Sequence, residues 1–213
     1  MYEQVRINYE EIEEMIRLLQ GEEGNVILVP THRSYLDFLL VSYIMFHLKL
    51  RVPHICAGED FLGVKFVHHI LRRSGAFYMR RSFKGDPLYK VIFHTYVSEL
   101  LKDGNSMEFF VEGTRSRTGK MLSPKYGILG VLIDNYYDEE DIKDLHFVPV
   151  SINYERVFEA ESFPRELMGK PKKKESLSRL LGSFEAFNQK FGFIEVDFLP
   201  PISFKEYQRS QCE

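Results

Sequence analysis

Apolar residues in this chain fall in short runs separated by polar, Gly- and Pro-containing breaks, and the runs alternate between strand-like and helix-like spacing. The pattern predicts helices near 10–19, 34–48, 61–73, 87–102, 127–136 and 176–190, with strands at 26–29, 52–57, 76–79, 107–111, 147–152 and 193–198. Such alternation argues for an α/β fold: a single domain whose mostly parallel or mixed β-sheet is covered by helices. An acidic helix and linker over 1–25 precede the main domain at 26–204, and 205–213 reads as a tail. The stretches 138–144 and 169–174 read as exposed connections.

Composition agrees with one substantial core, since 213 residues at 44% apolar and 28% charged are ordinary for a globular domain. The longest apolar stretch, 35–48, is interrupted by Asp37, Ser42 and His47 and falls short of the roughly 20 residues that span a bilayer, so no integral anchor is expected. Two cysteines, Cys56 and Cys212, make no disulfide framework, and no metal-ligand set stands out. Charge changes the picture more. The net is only −3, yet 61–133 holds twelve Lys and Arg against five Asp and Glu, and 61–85 contains no acid. Such a region attracts phosphorylated substrates, coenzyme A or anionic lipid headgroups. No nucleic-acid motif accompanies it.

The stretch VPTHRSYLD sets His32 and Asp37 five positions apart, directly after a strand-like run. On one continuous helix that spacing makes the side chains diverge. They converge if His32 lies on the turn before a helix and Asp37 in its first turns, with Ser34 as a plausible N-cap. Converged, the carboxylate holds the imidazole in one tautomer, as a general base requires. Two unrelated surface or capping residues remain the alternative.

Farther on, FFVEGTRSRTGKMLSPK opens from an apolar strand into a glycine-containing loop rich in arginine and lysine, a composition suited to cradling phosphate or to making a solvated basic turn. GAFYMRR likewise ends a strand with Arg80 and Arg81. If these strands are parallel to the one before His32, all three sets of residues share the carboxyl-end rim of the sheet, where α/β proteins bind ligands.

Four blocks, THRSYLD, GAFYMRR, FVEGTRSR and VPVSINYERV, resemble in this order those of the glycerolipid acyltransferases. The longer EGTRSR form, the approach RRSGAFYMRR and the stretch ELMGKPKKKES are similar to the glycerol-3-phosphate and dihydroxyacetone-phosphate acyltransferase type, and most to the latter. The resemblance implies a glycerol-3-phosphate acyltransferase-like fold and a catalytic domain over 26–204. It implies His32 and Asp37 as catalytic residues, Arg80, Arg115 and Arg117 on the substrate phosphate, and Glu112, Gly113 and Thr114 shaping the supporting loop. Arg81, Lys125 and Pro149 are weaker candidates, Pro149 as part of an acyl-donor channel. The implied reaction moves a fatty acyl group from acyl-CoA or acyl carrier protein to a phosphorylated three-carbon acceptor, with no other cofactor. Lysophosphatidic acid acylation, a non-catalytic phospholipid or acyl-CoA binding module and a hydrolase stay open as alternatives. A membrane-associated, peripheral protein or a cytoplasmic one is expected. A peroxisomal place is implied by resemblance alone, without an S-K-L ending. The helix near 61–71 could dock on a membrane or pack its apolar face inside.

Overall fold

The computed structural model describes residues 2–21, 23–59, 65–157, 159, 163–169 and 190–212. In chain order the strands are β1 (Gln4–Ile7), β2 (Asn25–Pro30), β3 (His54–Gly58), β4 (Phe77–Met79), β5 (Met107–Glu108), β6 (Leu145–Tyr154), β7 (Phe193–Phe198) and β8 (Ile202–Ser203). The helices are α1 (Tyr9–Gln20), α2 (Asp37–His47), α3 (Lys65–Arg73), α4 (Pro87–Lys102), α5 (Gly127–Asp138), α6 (Phe163–Leu167) and α7 (Phe204–Gln211). The helix expected at 176–190 lies almost wholly outside the described residues.

The sheet runs β1-β7-β6-β2-β5-β3-β4, with β8 beside β6. Strands β6, β2, β5, β3 and β4 are mutually parallel, whereas β7 and β8 run antiparallel to β6 and β1 pairs parallel with β7. The expected mixed, mostly parallel sheet is what forms, as a single α/β domain.

Central strands in such a sheet bury both faces, and β2 shows why its sequence is continuously apolar. Val26 and Leu28 join α1, α2 and the Val148, Val150 and Ile152 side of β6 in one core. Ile27 points the other way, into a second core with Met107, Phe109, Leu145 and the apolar faces of α4 and α5. Cys56 lies within that second core, where burial pushes its thiol up to about 12 and so keeps it protonated. On the first side Leu71 of α3 packs with Ile55 and Ala76.

Local chemistry sets the helix that follows β4. Asp86 accepts the Tyr89 N–H at 2.9 Å, Pro87 occupies the first turn, and the chain leaves α4 through Gly104 at φ 68°. Because β2, β4, β5 and β6 are parallel, His32, Arg80 and the EGTRSR loop, which follow strand ends, and Tyr154, the last residue of β6, all lie at one rim.

Candidate active site

Pro30 closes β2, and the next residues turn sharply before α2 begins at Asp37. The helix starts two residues later than a Ser34 N-cap would place it, and Leu36 occupies the cap position without a side-chain bond. The reason is a different acceptor. Asp37 reaches back over the turn, and its Oδ2 accepts the N–H groups of Arg33 at 2.6 Å and Ser34 at 2.9 Å. The same oxygen lies 2.9 Å from His32 Nδ1. Fully buried, Asp37 also accepts the Tyr154 hydroxyl on Oδ1 at 2.5 Å.

With Nδ1–H directed at Asp37, His32 carries its lone pair on Nε2, the tautomer of a poised general base. The imidazole stacks on Phe110, with ring centroids 4.1 Å apart and planes at 28°, and keeps 17% of its side chain exposed. Burial and the neighbouring Asp37 carboxylate push the Tyr154 phenol far up, so it stays a donor.

The EGTRSR loop is bonded directly to the His32 turn. Glu112, itself buried, accepts the His32 N–H at 2.8 Å on one oxygen and the Leu122 N–H at 2.8 Å on the other. Ser116 N–H donates to the His32 carbonyl at 2.7 Å. Thus Glu112 acts on the backbone of the turn. Gly113 stands at φ 66°, and a Cβ there would lie 3.0 Å from Lys125 Cγ, so both conformation and space favour glycine. Thr114 is exposed beside it.

Arg115 is buried, pairs with Glu159 at 3.1 Å and lies with its guanidinium carbon 3.4 Å from the Tyr35 ring centroid. A guanidinium has five N–H donors, so a carboxylate and a phosphate can be served together. Arg117 is partly exposed on the same loop, and Lys125 is exposed. Arg80 sits elsewhere on the rim. Strand β4 lies three positions from β2, roughly 14 Å at the usual inter-strand spacing. Arg80 bonds Asp86 at 2.6 Å and lies over the Tyr89 ring at 4.3 Å. The Tyr89 N–H and then Arg80 hold the Asp86 carboxyl below its usual range. Arg81 is exposed next to it, and Pro149 lies within β6 opposite Val29.

Four residues of the site escape a reading from sequence: Phe110, Tyr154, Glu159 and Glu108. Phe110 reads as strand, but the pairing ends at Glu108, and the ring becomes the platform under His32. Tyr154 and Glu159 meet the turn across 117 and 125 residues of sequence. Glu108 is fully buried in β5, and among the described residues no hydrogen-bond partner reaches either oxygen. Burial, and secondly the Asp37 charge, push its carboxyl well up, which favours the neutral form. Among the described residues no three His, Cys, Asp or Glu side chains group as metal ligands.

Comparison with known proteins shows the family. Residues 6–153 match the family model described as Acyltransferase, and 164–213 match the one described as Glycerol-3-phosphate acyltransferase C-terminal region. The chain is 44% identical to a dihydroxyacetone phosphate acyltransferase of Bos taurus and 43% identical to a glycerol-3-phosphate acyltransferase of Pseudomonas fluorescens, across 96% and 99% of its own length. It spans 30% and 25% of those two relatives. The crystal structure of the 1-acyl-sn-glycerophosphate (LPA) acyltransferase PlsC from Thermotoga maritima shares the fold, with a TM-score of 0.52 at 20% identity over 98% of this chain and 67% of that one. A family model that takes in more than half of the chain, His32 and Asp37 included, leaves one conclusion: the chain belongs to the acyltransferase family.

Proposed function

We propose that this chain transfers a fatty acyl group from an acyl-CoA or acyl carrier protein thioester to the hydroxyl of dihydroxyacetone phosphate or glycerol 3-phosphate. The observation that carries the reading is the His32 imidazole, held by Asp37 at 2.9 Å through Nδ1 with Nε2 on the opposite edge of the ring. His32 Nε2 takes the acceptor's hydroxyl proton as the oxygen attacks the thioester carbonyl. The new C–O bond forms, the C–S bond breaks, and the proton passes from His32 to the departing thiolate. Asp37 balances the imidazolium while it exists. A thiolate leaves readily, so alignment and deprotonation are the main tasks and the acyl thioester is the sole co-substrate required.

In the same reading Arg115 and Arg117 meet the acceptor phosphate from the loop bonded to the His32 turn, with Glu112, Gly113 and Thr114 shaping that loop. Arg80 reaches the anion from the far side of the rim, Arg81 and Lys125 supply flanking charge, and Pro149 lines the acyl-donor channel. The relatives' names support a three-carbon phosphate as acceptor. A peripheral contact with anionic lipid completes the reading, supported by exposed Leu88, Val91 and Ile92 on α4 next to exposed Lys84 and Lys90. No described helix is long and apolar enough to cross a membrane.

The test is thiol release from palmitoyl-CoA in the presence of dihydroxyacetone phosphate, glycerol 3-phosphate or lysophosphatidic acid. Release that depends on either of the first two is expected. Release without any acceptor, or with lysophosphatidic acid alone, contradicts the reading.

A further inference from the structure

Glu159 lies on the stretch after β6, with only 8% of its side chain exposed. Its Oε1 accepts the Tyr35 N–H at 2.7 Å and Arg115 Nη1 at 3.1 Å, and its Oε2 accepts the Ser34 hydroxyl at 2.9 Å. One carboxylate therefore joins the turn that carries His32 to the loop that carries Arg115. Tyr35 is used twice, since its ring also packs against the Arg115 guanidinium at 3.4 Å. From the other side Asp37 holds the N–H groups of Arg33 and Ser34 in the same turn. Two carboxylates thus grip three consecutive N–H groups just before α2, where the positive end of the helix dipole favours both.

An exposed ion pair would fix little, but Arg115 and Glu159 keep only 10% and 8% of their side chains exposed. Taking Glu159 away leaves a nearly buried cation without this carboxylate and with its rotamer less constrained. The geometry points to Glu159 as a positioning residue for the acceptor: it sets the Arg115 guanidinium relative to the His32 imidazole, so that the acceptor's phosphate and its reacting hydroxyl are held in one register. This rests on Arg115 contacting the acceptor phosphate. Glu159 itself touches neither substrate.

A double-mutant cycle on the full chain tests it. Glu159→Gln keeps the side chain's size and one oxygen for the Tyr35 N–H while removing the charge that pairs with Arg115. Thiol release from palmitoyl-CoA with glycerol 3-phosphate varied gives the two Michaelis constants, and calorimetry gives the Kd of glycerol 3-phosphate. Glu159→Gln is expected to raise the acceptor KM and Kd about 10-fold, the effect of one charge-assisted contact, and to leave the palmitoyl-CoA KM within about twofold. Added to Arg115→Ala it should have almost no further effect, within about twofold. If Arg115→Ala weakens the acceptor and Glu159→Gln does not, the positioning role falls and the phosphate reading stands. If Arg115→Ala itself leaves the acceptor unaffected, the phosphate reading falls and the positioning role with it. Additive effects also overturn the inference, because Glu159 would then act apart from Arg115. Should Glu159→Gln fail to fold, Glu159→Asp decides: it keeps the charge but withdraws it by one methylene, and an unchanged acceptor KM overturns the role.

Discussion

Replacing Asp37 by Asn removes a charge and little else. Three donors converge on Oδ2, His32 Nδ1 at 2.9 Å and the N–H groups of Arg33 at 2.6 Å and Ser34 at 2.9 Å, while the Tyr154 hydroxyl donates to Oδ1 at 2.5 Å. An asparagine with its carbonyl in the Oδ2 place keeps the first three bonds. Its amide then faces the Tyr154 oxygen, which can turn its proton away and accept. The opposite amide orientation sets NH2 against two backbone donors and is disfavoured. Stability should therefore fall by only about 1–2 kcal/mol. The larger effect is on the proton transfer. At 2.9 Å and an effective dielectric of about 20, a carboxylate and an imidazolium attract by roughly 6 kcal/mol. Part of that is recovered by solvent at the 17% of the His32 side chain that is exposed, which leaves a fall in kcat of about 10³. Acceptor KM should move by less than about threefold, because Asp37 reaches the acceptor only through His32. Saturating thiol-release kinetics with a parallel denaturation curve measures both. A kcat within fivefold of the parent would mean that the Asp37 charge does not support proton transfer at His32, as would loss of activity that merely follows loss of fold.

Glu108→Gln addresses the buried neutral acid. Below the ordinary value of 4.5 the carboxyl is protonated in both states; above it the unfolded chain releases a proton that the folded chain keeps. The parent therefore loses up to about 1.4 kcal/mol of stability per pH unit until the folded group's own raised value is reached. The stability advantage of Glu108→Gln over the parent should grow from pH 4 to pH 8 in urea denaturation, and an advantage independent of pH would contradict a neutral Glu108. Tyr154→Phe leaves one buried Asp37 oxygen without its donor, so it should lose about 1–3 kcal/mol and lower kcat about tenfold, less than Asp37→Asn. A larger loss of kcat than with Asp37→Asn would assign Tyr154 a more direct part.

Strand β2 was readable because both its faces are buried, which makes 26–29 an apolar run closed by Pro30, whereas β6 alternates, with Val148, Val150 and Ile152 buried and Pro149, Ser151 and Asn153 partly exposed. The strand at 193–198 was readable from strict alternation. The His32–Asp37 contact was readable too, since a spacing of five closes only across a turn into a helix, and that turn forms. Edge elements were not. β1 holds Gln4, Val5 and Arg6 exposed, β8 is two residues long, and α7 has no fully buried residue, so none carries a hydrophobic period. The run 107–111 misled for the opposite reason: Phe109 and Phe110 are apolar for the core and for the His32 platform, beyond the point where pairing stops. The partners Tyr154 of Asp37, at the end of β6, and Glu159 of Arg115, just after it, could not be found from spacing at all, because contacts across more than forty residues leave no local pattern.

His32→Ala, assayed for glycerol 3-phosphate-dependent CoA release with acceptor affinity measured separately by calorimetry, tests the base directly. Turnover should fall by at least about 10³ with acceptor Kd changed less than about threefold. Turnover within tenfold of the parent would contradict His32 as the base.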